Sequence, residues 1–464
     1  MYIEQLYTSC LAEAAYYIES DGVAAIIDPL RETEPYLALA EKRKASIKYV
    51  FETHFHADFV SGHIDLARKS GAEIVYGPTA ETSYKSYVAK DGETFSIGKI
   101  KIKVLHTPGH TLESSCYLLI DESGKEHAVF TGDTLFVGDV GRPDLAIKSD
   151  LTVNDLAGML YDSLNTRLKP LADEVIVYPA HGAGSSCGKN IGKETFSTIG
   201  QQKRMNYAMQ PMKREEFIKA VTDGLADAPG YFAMDAKLNK HGYSSIDEVL
   251  DKNSKALSVD EFEKEIAKGS VILDVRTPDD FEKGFVPDAV NIGLNGQYAP
   301  WVGALLDPNI PLVLVADEGK EKEAVLRLAR VGYENVKGYL KGGVDAWKAA
   351  GKKTDTVTSM TADDLAARLS SNPGQNILDV RKPGEVENGM IEGAQHICLS
   401  RLKSELHTLD KNNHYYVHCA GGYRSMIAAS IMKQKGFENV TNILGGMGKI
   451  KETGIKLVQP VTVI

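Results

Sequence analysis

Two groups of residues in this chain have types and spacings that can do chemistry. In the first, His54-Phe55-His56-Ala57-Asp58 follows an apolar run, and Pro108-Gly109-His110, Gly132-Asp133 and Ala180-His181 each follow another. Imidazoles and carboxylates in this mixture are the ligands of a divalent ion such as zinc or iron. A lone histidine carries little weight, since most are structural, but the whole set points to a metal centre. The second group is Cys419-Ala420-Gly421-Gly422-Tyr423-Arg424, between an apolar strand pattern and a helical one. A cysteine there faces backbone N–H groups and a helix N-terminus, which stabilise a thiolate. Gly421 and Gly422 let the loop curl into an anion nest, and Arg424 adds positive charge.

The elements that must position these residues alternate along the chain. Apolar, β-rich runs (AYYIES, VAAIID, YVFET, EIVYG, IKIKVLHT, SCYLLI, HAVFTGD, EVIVYPAHG) are separated by helical stretches such as EPYLALAEKRKA and GHIDLARKSG. This pattern predicts layered sheets covered by helices, with the metal-type residues at the carboxyl ends of strands, where loops converge on one rim. The later half repeats itself: ILDVRTPDDFEKGFVPDAVNI returns as ILDVRKPGEVENGMIEGAQHI. The offset of about 104 residues is too long for a solenoid unit and suits a duplicated small α/β domain around a parallel sheet. Boundaries are expected near 250 and 356, giving segments 1–250, 251–355 and 356–464.

Composition bounds the setting. The 464 residues have a formal charge of −10 and no basic tract, which argues against nonspecific nucleic-acid binding. No stretch approaches the ~18 apolar residues of a membrane span. The opening MYIEQLYTSCLAEAAYY has no basic n-region, so no secretory signal is expected. Five sparse cysteines without framework spacing fit free thiols in a reducing, cytoplasmic compartment. Cys187, in HGAGSSCG near His181, reads either as a sulfur relay at the metal mouth or as a small buried hydrophobe. Cys116 and Cys398 read as core, and Cys10 is unassigned.

The spacing H-x-H-x-D, PGHT, TGDTLF, PAHG resembles the metallo-β-lactamase superfamily, within it glyoxalase II and the persulfide dioxygenases. The resemblance implies an αββα sandwich over roughly 1–245. Phe59 stands where the family's H-x-H-x-D-H places its last histidine, a ligand of the second ion in two-metal hydrolases; a phenyl ring has no lone pair, so one ion is expected. Resemblance to persulfide dioxygenases then implies one Fe(II) held by His54, His110 and Asp133, with open positions for a persulfide sulfur and O2. His56, Asp58 and His181 would support these ligands, although sequence leaves His56 open as a fourth. In GDTLFVGDVGRPDL, Arg142 either braces the loop through Asp144 or meets a substrate carboxylate.

The C-x-x-x-x-R loop, with DVR and Gly389, Gly393 and Ala394 upstream, resembles the rhodanese sulfurtransferases. That implies a Cys419 persulfide with its outer sulfur held by the N–H groups of Ala420, Gly421, Gly422 and Tyr423, assisted by Arg424. The preceding repeat resembles rhodanese too, but no cysteine occurs from 188 to 397, so it cannot carry sulfur covalently. The combined expectation is an Fe(II) persulfide dioxygenase fused to a rhodanese. Its small-molecule partners would be persulfides of glutathione or another thiol, O2, sulfite and thiosulfate, and the family suggests a homo-oligomer. A glyoxalase II-like thioester hydrolase fused to a sulfurtransferase, and a sulfur-binding scaffold, are the rival expectations.

Overall fold

A computed structural model describes residues 1–145, 151–225 and 227–459, so the end of the 356–464 segment lies outside it. The chain forms two compact units. One comprises Met1–Val249 with Leu328–Gly332, and the other comprises Leu250–Arg327 and the chain from Tyr333 onward.

The first unit is built on two six-stranded sheets. Strand Glu13–Ser20 shows why they stack: every residue in it is buried, and the two faces serve different neighbours. Ala14, Tyr16 and Ile18 join Ile102, Val104, Tyr117 and Phe130 of the other sheet in one core. Ala15 and Tyr17 point outward and pack with Tyr36, Ala40 and Leu66, from helices Glu34–Arg43 and His63–Ser70. The second sheet's outer face, with Leu105, Leu118, Val129 and Val177, is covered by Leu160 of helix Val153–Ser163 and Phe217 of helix Arg214–Thr222. Helix, sheet, sheet, helix is the sandwich expected. Apolar runs without polar alternation are what strands buried on both faces require. Strand Tyr2–Thr8 lacks that run and was not anticipated; it lies at the sheet edge, paired only with Glu13–Ser20, where propensity is a weak signal.

In the second unit each repeat has its own five-stranded sheet with all pairings parallel. The strand orders correspond: Leu312–Val315 lies beside Val271–Asp274, as Tyr415–His418 lies beside Asn376–Asp379. Each DVR forms the same internal pair. Arg276 Nη2 reaches Asp274 at 2.6 Å, and Arg381 Nη2 reaches Asp379 at 2.6 Å. Among the described residues, no helix is long and apolar enough to cross a membrane.

Candidate active sites

The first site stands where strands Ser46–Glu52, Ile100–His106, Glu126–Gly132 and Ile176–Pro179 end. One donor atom from each of His54, His110 and Asp133 lies within 4.8 Å of the others, and all three residues are buried. Their orientation follows from what their far sides hold. The His110 Nδ1 lies 2.8 Å from the Arg142 carbonyl, which can only accept, so Nδ1 carries the proton and the Nε2 lone pair faces Asp133. Thr53 donates its hydroxyl to Asp28 Oδ2 (2.8 Å), so its oxygen accepts from His54 Nδ1–H (2.9 Å). His181 Nδ1 likewise donates to the Ala12 carbonyl, 3.1 Å away. Three Nε2 lone pairs therefore converge on Asp133, at 3.8 Å (His54), 3.4 Å (His110) and 3.5 Å (His181).

This convergence fits a cation. Both oxygens of Asp133, one of Asp58 and Nε2 of His181 are buried without a hydrogen-bond partner. A buried carboxylate facing lone pairs costs several kcal/mol unless something positive joins it. Burial, and then His56, His110 and His181, hold His54 well below the usual imidazole range, leaving it neutral as a ligand must be.

His56 differs from the other three. Its Nε2 lies 3.1 Å from Asp28 Oδ1 and 3.8 Å from Glu52 Oε2. Burial disfavours its charge, but Asp28, then Glu52 and Asp58, outweigh burial and hold it up at about 9. Phe59, fully buried, lies against His56 with ring centroids 4.3 Å apart. His56, Asp58 and His181 nevertheless form a second buried group whose donor atoms lie within 4.8 Å of one another.

Gly132 explains the Gly-Asp pair before the cluster. It takes φ of 51° at a register shift, and a Cβ there would stand 2.5 Å from Thr53 Oγ1. Arg142 spends its guanidinium on Asp144 through two 2.7 Å bonds, while its carbonyl positions His110. Of the two readings open in the sequence, this geometry is the brace. Cys187 Sγ meets Asp133 and His181 within 4.8 Å, as proximity to His181 suggested. Burial, then Asp58 and Asp133, push that thiol far up, so in this arrangement it stays an S–H rather than a nucleophilic thiolate.

The second site is the loop after strand Tyr415–His418. Cys419 is buried, and the Gly422 N–H donates to its Sγ at 3.1 Å. The loop carbonyls are turned away from the sulfur by donors on the next turn: Met447 N–H binds the Cys419 carbonyl (2.7 Å) and Gly448 N–H that of Ala420 (3.0 Å). This approach requires Gly446, where a Cβ would lie 2.4 Å from the Cys419 carbonyl oxygen. Gly421 is exposed with open space beside it. Two side chains of the loop, those of Tyr423 and Arg424, engage partners other than Cys419. The Tyr423 hydroxyl donates to the Gly293 carbonyl in the first repeat (2.7 Å). Arg424 forms a two-bond pair with Glu385, at 2.6 and 2.7 Å.

In the first repeat Asp274 pairs with Val315 as Asp379 does with His418, so Ala316 stands in the place of Cys419. Counting onward, Glu321 replaces Arg424. The silent copy has lost both the nucleophile and the positive charge.

Comparison with known proteins agrees with this division. The model of the metallo-beta-lactamase superfamily matches residues 9–181, and that of the rhodanese-like domain matches 258–350 and 361–453. A probable hydroxyacylglutathione hydrolase of Schizosaccharomyces pombe is 30% identical over 41% of this chain and 79% of its own length. The chain belongs to the metallo-beta-lactamase superfamily. It carries that domain together with two rhodanese-like domains. A solved metallo-beta-lactamase from Staphylococcus aureus is 29% identical, covering 74% of this chain and 98% of that one, with a TM-score of 0.65. ETHE1 from Myxococcus xanthus is 30% identical over 52% of this chain and 98% of its own, with a TM-score of 0.45.

Within the metallo-beta-lactamase domain, sequence reasoning missed Asp28, Thr53, Glu52 and Asn239. Asn239 donates to the carbonyls of His56 and Phe59, both at 2.7 Å, and so holds the ligand loop from a distant helix. Asp28 ends an apolar strand as Asp133 does, which was a usable signal; nothing near Asn239 in sequence marks it. Within the rhodanese-like domain that holds Cys419, Glu385 was missed.

Proposed function

We propose that the metallo-beta-lactamase domain is a persulfide dioxygenase using one ferrous ion, and that Cys419 carries out rhodanese sulfur transfer, together serving sulfide detoxification. The observation that carries the reading is Phe59 against His56, which puts a phenyl ring beside the second donor group and leaves His54, His110 and Asp133 as the coherent set of three. These three would hold the ion. When bound, Fe(II) supplies neighbouring coordination positions at which a persulfide sulfur and O2 can meet, as two-histidine-one-carboxylate sites do.

The chain's own residues prepare that chemistry. Arg142 and Thr53 fix the tautomers of His110 and His54 from behind, so that both Nε2 lone pairs face inward. His181 Nε2 and Asp58 Oδ2 lie 3.3 Å apart beside Asp133, which adds polar groups next to the ion's place. Phe59 and Phe136, both fully buried, limit water around these groups. In the rhodanese-like domain the Cys419 thiolate attacks the outer sulfur of a persulfide or of thiosulfate. A new S–S bond forms, the donor's S–S bond breaks, and its electron pair leaves with the carrier thiolate or with sulfite. The Gly422 N–H, which donates to Cys419 Sγ, stabilises the thiolate that makes this attack.

The test is metal analysis of anaerobically purified protein with oxygen uptake on glutathione persulfide. One iron per chain with O2 consumed and sulfite formed supports the proposal; zinc with no oxygen uptake overturns it. A second reading, a two-metal thioester hydrolase, draws on the name of the curated relative and on the second donor group of His56, Asp58 and His181. It requires two ions per chain and hydrolysis of a hydroxyacylglutathione.

A further inference from the structure

Arg424 is expected to recognise the anion at Cys419, yet its fork is occupied. Nη1 and Nη2 each bond a different oxygen of Glu385, at 2.6 and 2.7 Å, in the geometry a carboxylate or oxyanion ligand would take. Glu385 is pinned from behind as well. Its Oε2 also accepts the Lys382 N–H at 2.9 Å in the capping box of helix Pro383–Val386. Its carbonyl accepts from Arg381 (3.1 Å), which is itself locked to Asp379. The pair is half-buried rather than solvent-diluted, with side-chain exposures of 15% for Arg424 and 34% for Glu385. Arg424 is thus a neutralised cation, and Gly422 N–H remains as the uncompensated donor on the sulfur.

We infer that Glu385 is a specificity-determining residue of the Cys419 site, weakening its grip on dianionic sulfur oxyanions relative to singly charged persulfides. This rests on the sulfurtransferase reading above. Thiosulfate and sulfite each bring two negative charges, and their attraction to Arg424 is offset by the carboxylate already there. A persulfide R–S–S⁻ brings one charge, held by the backbone, and loses less. The transfer is unchanged in kind: with thiosulfate, the thiolate takes the outer sulfur and sulfite leaves with the electron pair; with R–S–SH, the carrier thiolate leaves. Only the affinity for the more charged donor is set by Glu385.

The experiment compares full-length wild type with Glu385→Gln, which keeps the side chain's shape and an oxygen for the Lys382 N–H. Donors are thiosulfate and the persulfide of the uncharged thiol 2-mercaptoethanol, with cyanide as acceptor. In Glu385→Gln, KM for thiosulfate is expected to fall by roughly three- to tenfold, more at low salt, with kcat within about twofold. KM for the persulfide is expected to change by less than about twofold. A thiosulfate KM that stays or rises, or a loss confined to kcat, overturns the inference while wild-type turnover upholds the sulfurtransferase reading. Wild type that loads no sulfur on Cys419 from either donor, read by mass, overturns that reading itself.

Discussion

The ring of Phe59 lies 4.3 Å from that of His56, inclined by 35°, at the place the sequence resemblance gives to a further histidine. His56 in turn points its Nε2 at Asp28. An aromatic contact and a buried ion pair therefore take up the space and the nitrogen that a second ion would use. His54, His110 and Asp133 form a separate buried group whose donor atoms lie within 4.8 Å of one another.

Phe59→His restores a lone pair at that place. Metal content by elemental analysis is expected to rise from one toward two ions per chain, and oxygen uptake to fall. Because the smaller polar ring replaces a fully buried phenyl, the metal-free variant should lose about 1–3 kcal/mol in denaturant unfolding.

Thr53→Val removes the oxygen that accepts from His54 Nδ1–H and the hydroxyl that donates to Asp28 Oδ2, while the residue's backbone N–H still bonds Asp28 Oδ1. The imidazole is then free to turn or to change tautomer. Metal affinity by chelator competition should fall about 10–100-fold, the usual effect of losing a group that orients a ligand. An unchanged affinity would mean that Thr53 does not orient His54.

Chelation should also destabilise the metallo-beta-lactamase domain, because the buried Asp133 carboxylate faces the Nε2 lone pairs of His54, His110 and His181. Restoring metal at about 100 times its Kd should raise stability by about 2.7 kcal/mol. Calorimetry of the apo and reloaded protein measures this directly, and His110→Ala should abolish the gain.

Cys419→Ser should end sulfur loading and leave oxygen uptake intact. The companion variant Ala316→Cys puts a thiol at the equivalent strand register, but among Asp317, Glu318 and Glu321 rather than beside an arginine. Its alkylation by iodoacetamide should be at least several-fold slower than that of Cys419 at neutral pH, because nearby acids disfavour the thiolate.

Asp379→Ala leaves the Arg381 guanidinium buried without its partner, 3% exposed in the intact protein. Unfolding of the second unit should be easier by about 3–5 kcal/mol. Sulfur loading per folded molecule should persist, since the pair braces the domain and does not touch the sulfur.

The gathering of His54, His110 and Asp133 was legible in the sequence because each sits in a short local motif at a strand end, and strand ends can be read from apolar runs. The duplicated domain was legible from ILDVR and its neighbours, and the silent copy from the missing cysteine. Phe59 could be seen as a lost ligand, although not as a ring packed on His56. Other features depend on residues far apart in the chain. Asn239 reaches back across 183 positions to the His56 carbonyl, and Tyr423 reaches 130 positions to Gly293. No local pattern encodes such pairings.

Periodicity and motif spacing act over a few residues, so the order of amino acids already names the chemical groups this protein owns and the backbone elements that carry them. Where those groups point follows from the packed fold: Arg142 toward Asp144, Arg424 toward Glu385, and three Nε2 lone pairs toward Asp133. Hydrogen bonds and ion pairs are directional and short-ranged, so their partners are chosen only when packing brings distant segments within about 3 Å.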